Sequence, residues 1–100
     1  MSKARVPSEL LELRDQIDRL DQALVLLLAN RFALTRRVGE IKARESLESF
    51  DGSREHDKLL RIRELCERHE LNPKLVSDIL SGIMREVVQN HEHTKARHKP

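Results

Sequence analysis

The first residue whose position demands an explanation is Arg31. Leu13, Ile17, Leu20, Leu24, Leu27, Arg31, Leu34, Val38 and Ile41 recur at alternating steps of three and four, the seam of a helix packed lengthwise against others. A guanidinium in such a seam costs several kcal/mol unless a carboxylate or an anionic ligand meets it. Lys42 follows eleven positions later. Three helical turns separate the two with only about 20° of drift, so both cations leave nearly one face, with Cα atoms ~16 Å apart. Two readings stay open on this spacing: the pair clasps one small anion, or Arg31 meets a glutamate of another helix while Lys42 is solvated.

Arg14 stands seventeen positions before Arg31, roughly 26 Å along a helix, too far for both to hold one small molecule within a chain. Side by side with an antiparallel copy, Arg14 reaches a site built by its partner; alone, it pairs with Asp18 at i+4. Asp51-Gly52-Ser53-Arg54-Glu55 sets an acid, a base and free amides at a helix start, a setting that suits anions and hydroxyls and is also that of an ordinary capped helix. His91-Glu92-His93 is a poor metal site, because i, i+2 imidazoles diverge on a helix and no third ligand follows at a useful spacing. There is no glycine-rich phosphate loop, nucleophile elbow or HExxH motif, and the only cysteine, Cys66, lies in an apolar stripe. The remaining equipment is cationic, suited to binding a polyanion and stabilising developing charge.

The elements that must position these groups are helices. Gly and Pro number three each in 100 residues, no alternating β-branched run occurs, and Leu, Glu, Arg, Lys and Ala abound. The pattern predicts one helix from about Ser8, with Ser8 as cap, to Arg44. A second, capped by Ser53, runs to about His69, and a third from Asn72-Pro73 to about His91. Leu59, Ile62, Leu65 and Cys66 form the stripe of the second; Leu75, Val76, Ile79, Leu80, Ile83, Met84, Val87 and Val88 give the third a broad one, with Gly82 marking a close helix approach. About 35 residues make a rod of roughly 52 Å, longer than its own shorter helices can cover. The stripe therefore predicts an intertwined homodimer.

Charge supports a small-molecule partner over nucleic acid. The formal net charge is +2, all of it from the last ten residues, and aromatic residues are only Phe32 and Phe50. No apolar run approaches the ~20 residues of a membrane span, and no secretory signal is evident. A single cysteine excludes an internal disulfide framework and fits a reducing, cytoplasmic setting. The expected organisation is a flexible 1–7, a helical domain over 8–91 and a basic flexible tail over 92–100.

Leu10-Leu-Glu-Leu-Arg14, Ile17-Asp18-x-Leu20-Asp21, Leu27-Leu-Ala-Asn-Arg31, Val38-Gly39-x-Ile41-Lys42 and Asp51-x-x-Arg54-Glu55 together resemble the all-helical chorismate mutases, in order and in spacing, over about residues 8–91. The resemblance implies an isomerase of the shikimate pathway, in phenylalanine and tyrosine biosynthesis, that rearranges chorismate to prephenate without cofactor or metal. Arg14 of the partner subunit and Arg31 would grip the substrate carboxylates; Lys42 would touch a carboxylate and the ether oxygen. Glu55 would accept the ring hydroxyl, while Asp51 and Arg54 shape the entrance. Where many members carry serine and, four residues on, glutamine, this chain has Val87 and His91. Val87 cannot bond a carboxylate and only lines the site, whereas His91 would offer an N–H to the ether oxygen. Isochorismate-pyruvate lyases share the scaffold and are the alternative enzyme; a noncatalytic helical dimerisation or regulatory module is the alternative outside enzymology.

Overall fold

A computed structural model describes residues 5–48 and 50–97, and these form three helices with no strand among them: α1 (Ser8–Arg44), α2 (Gly52–Arg68) and α3 (Pro73–Arg97). The all-α class and the helix count follow the sequence pattern. Its caps are partly different. The Leu11 amide donates to the Pro7 carbonyl at 3.2 Å, so Ser8 is the first residue of α1 and not its cap. At α2 the cap is Asp51, not Ser53: its carboxylate accepts the Arg54 amide at 3.1 Å. A carboxylate outranks a hydroxyl there because it also faces the positive end of the helix. At α3 Asn72 is the cap, accepting the Lys74 amide at 3.0 Å, and Pro73 takes the first helical position, where its missing N–H is no loss.

Both α1 and α2 end in the same device. Leu47 N–H donates to the Lys42 carbonyl at 2.7 Å and Ser46 N–H to Ala43 at 3.3 Å; Leu71 N–H donates to Cys66 at 2.9 Å and Glu70 N–H to Glu67 at 3.4 Å. These are Schellman closures, which require a left-handed residue between helix and loop. Ser46 and Glu70 fill that role at φ 55°, a conformation in which a side chain is strained. Glu70→Gly is therefore expected to stabilise the chain by about 1 kcal/mol, read as a rise in the chemical-denaturation midpoint at unchanged m-value. A lower midpoint would show that the glutamate side chain contributes more than its backbone costs.

The third helix continues to Arg97, so residues 92–97 of the expected flexible tail are helical. Nothing in Glu92-His93-Thr94-Lys95-Ala96-Arg97 breaks a helix, and Lys95 and Arg97 suit its negative end. Residues 98–100, like 1–4 of the expected flexible N-terminus, lie outside the described residues.

The chain divides into two compact units, residues 1–33 and 34–100. In the first, every residue from Arg5 to Asn30 is exposed, including Leu13, Ile17, Leu20, Leu24 and Leu27 at 50–65%. In the second, α2 packs on α3. Cys66 and Val87 are the buried apolar residues, with Ile62, Val76, Leu80, Ile83, Met84 and Val88 half-buried. Leu59, Leu65, Leu75 and Ile79 of the predicted stripes remain exposed. So little buried area is a thin core for 100 residues. No helix among the described residues is long and apolar enough to cross a membrane.

Candidate active site

Each expected site residue sits where the helix pattern put it, but their partners are partly unforeseen. Arg14 is exposed and has no ion-pair partner among the described residues; the pair that forms nearby is Asp15–Arg19, at 2.8 Å, instead of Arg14–Asp18. Arg31 is half-buried, and its Nη1 is fully enclosed without a hydrogen-bond partner. An orphaned polar atom costs about 1–3 kcal/mol, more when charged.

Lys42 is half-buried in the last turn of α1, where the bond from Leu47 to its own carbonyl fixes the backbone that carries the ammonium. Asp51 and Arg54 are exposed at the start of α2, with the Asp51 carboxylate committed to capping. Glu55 is half-buried and bonded to Lys58 Nζ at 2.8 Å, with side chains only 14% and 16% exposed. Lys58 is a site neighbour that the motifs do not mark, although an acid and a base at i, i+3 are legible in the sequence. Glu55 also lines a cavity of about 210 Å³ with Phe50, Leu59, Leu80, Ser81, Met84 and Arg85. A larger cleft of about 350 Å³ between α2 and α3, with His56, Arg63 and Lys74 on its wall, includes none of the expected site residues.

Val87 and His91 are both 3% exposed. The ring nitrogen Nε2 of His91 lies 2.9 Å from the Thr35 carbonyl of α1. A carbonyl only accepts, so Nε2 carries the proton and donates it to Thr35. The N–H assigned by resemblance to a substrate oxygen thus has a protein partner. Close beside it is Gly39, the buried residue of α1: a Cβ there would stand 2.6 Å from His91 Cδ2, nearer than real Cβ atoms come. Gly82, expected to mark a close approach, meets only Arg85 Nη2 of its own helix at 3.6 Å, an ordinary contact. The glycine that admits a neighbouring helix is Gly39. Among the described residues no three His, Cys, Asp or Glu side chains converge as a metal site.

The set therefore offers an enclosed guanidinium without a partner, a lysine on a fixed helix end and a glutamate held by a second lysine, all on helices. Comparison with known proteins identifies the family. Residues 13–92 match the family model for chorismate mutase type II. The chain is 43% identical over 79 residues to the T-protein of Enterobacter agglomerans, covering 79% of this chain and 21% of that protein. It is 32% identical over 91 residues to the chorismate mutase of Methanocaldococcus jannaschii, covering 91% of this chain and 85% of that one. Over 57 residues it is 42% identical to a bifunctional chorismate mutase/prephenate dehydratase of Aquifex aeolicus, covering 54% of this chain and 16% of the relative. The chain thus spans about a fifth of the length of the T-protein and most of the length of the Methanocaldococcus jannaschii protein. With the matched stretch running from Leu13 on α1 to Glu92 on α3, the chain belongs to the chorismate mutase type II family.

Proposed function

We propose that this chain rearranges chorismate to prephenate, within aromatic amino-acid biosynthesis in the cytoplasm, as a homodimer whose two sites are each completed by the partner subunit. The observation that carries the reading is the enclosed Arg31 Nη1 without a protein partner, on the seam of a helix in a chain of this family. Support for the dimer comes from the exposed seam of α1, Leu13 to Leu27. Fully burying an aliphatic side chain contributes about 1.5–3 kcal/mol, so a second copy laid along these leucines recovers a large share of what the thin core lacks.

Chorismate is a dianion whose ether C–O bond breaks while a new C–C bond closes in a chair, with negative charge gathering on the ether oxygen. No proton or electron leaves the molecule, so the protein's tasks are to hold the chair and to solvate that oxygen. Arg31 and the partner subunit's Arg14 take the carboxylates. Lys42 bonds a carboxylate and the ether oxygen; Glu55 accepts the ring hydroxyl. Asp51 shapes the entrance by fixing the start of α2, Arg54 adds positive potential there, and Val87 gives an apolar wall. For His91 to serve the ether oxygen, its N–H would first have to leave Thr35.

The test is an assay of prephenate formation by the purified chain, run beside an isochorismate lyase assay. Prephenate formation without pyruvate release is expected. Removing one donor to a developing oxyanion costs about 10²–10³ in rate, and Lys42→Ala is expected to lose at least that. A wild type inactive on chorismate, or a Lys42→Ala variant with near-normal turnover, would overturn the reading.

A further inference from the structure

We infer that His91 is a positioning residue, which orients Lys42 by pinning the C-terminal part of α1 to α3 through the Thr35 carbonyl and a seat made by Gly39; this rests on the role proposed for Lys42. In a helix the Thr35 carbonyl points at the amide of residue 39, so a group from another helix that bonds this oxygen must lie over residue 39. The oxygen has a second lone pair for it. Only glycine leaves room: the ring of His91 fills the place where a Cβ would be, 2.6 Å from Cδ2 and 3.2 Å from Nε2.

Thr35, Gly39 and Lys42 stand at i, i+4 and i+7, one face of α1. The pin therefore acts on the turns that carry the ammonium. At 3% exposure the imidazole lies among packed neighbours, and Val87, one turn earlier on α3, is equally enclosed. The Leu47 bond to the Lys42 carbonyl secures these turns from one end and His91 secures them from the other. A group that fixes a rigid backbone below a catalytic cation controls rate without touching substrate, because a misplaced donor stabilises the transition state poorly.

The experiment combines amide hydrogen exchange of ligand-free protein with kinetics. In His91→Ala, exchange of the amides of residues 39–42 is expected to accelerate about tenfold, and kcat/KM for chorismate to fall about tenfold. His91→Gln keeps an N–H donor for Thr35, and is expected to hold exchange close to wild type even if the alanine variant fails to fold. Gly39→Ala keeps the imidazole but closes its seat, and is expected to exchange like His91→Ala. In a Lys42→Arg background the cost of His91→Ala is expected to shrink below about threefold, because a residue acting through Lys42 has little left to act on. Unchanged exchange in His91→Ala, or a full tenfold loss surviving in the Lys42→Arg background, would overturn the inference. A wild type without chorismate turnover would refute the proposed reaction alone, since the exchange measurement needs no substrate.

Discussion

Mixing two inactive variants, Arg14→Ala and Lys42→Ala, is expected to restore about a quarter of wild-type chorismate turnover after subunit exchange. The number follows from the proposed sharing. In a heterodimer one site draws Lys42 from the Arg14→Ala subunit and Arg14 from the Lys42→Ala subunit, so it is intact, while the other site lacks both. Random exchange gives about half heterodimers, hence one intact site in about four. Each variant alone is expected to lose on the order of 10² or more in rate, so recovered activity stands far above background. The physical ground is distance: roughly 26 Å of helix separates Arg14 from Arg31 within a chain, and a helix does not fold back on itself. A mixture no more active than its components, with sedimentation confirming exchange, would place both cations in one subunit's service or neither. Replacing Leu20 and Leu24, exposed at 65% and 58%, with glutamate is the companion control. It is expected to give a monomer without activity.

The second large effect is a trade of stability against binding at Arg31. Replacing this residue with methionine, of similar reach and no charge, removes the cost of an enclosed Nη1 that no protein group satisfies. Ligand-free stability is expected to rise by about 1–3 kcal/mol, while KM for chorismate rises at least about tenfold. Added chorismate or a stable dicarboxylate mimic should raise the melting temperature of the wild type and not of the variant, since only a ligand bound to the folded state stabilises it. A variant less stable than wild type would mean that the guanidinium is held by the protein for structural reasons, the reading the seam position alone leaves open.

Much of this was legible in residue order. The scarcity of glycine and proline and the three-four step from Leu13 to Ile41 specify a long helix without reference to its neighbours, because backbone propensity and one apolar face are local properties. Asn72-Pro73 marks the start of α3 for the same reason. Less legible were the helix ends at Ser46 and Glu70, where residues that disfavour positive φ accept it because two backbone bonds and a following leucine close each helix. The basic composition of residues 92–97 suggests a tail, but charge does not unwind a helix that contains no breaker.

At the site the division is the same. Lys42, Glu55 and Arg31 stand out by type and spacing, since a cation in an apolar seam and an acid in a first helical turn are visible on one strand of text. Their partners are not. That Lys58 turns onto Glu55, and that the imidazole of His91 crosses from α3 to rest on Gly39, depend on which faces of separate helices meet. An all-helical chain with an amphipathic rod follows from residue order alone, because backbone propensity and periods of three to four residues are local. That Gly39 and not Gly82 receives a neighbour, and that the His91 N–H is bonded to backbone, is set by packing between helices, because partners 52 and 56 residues apart in the chain are joined by no local pattern.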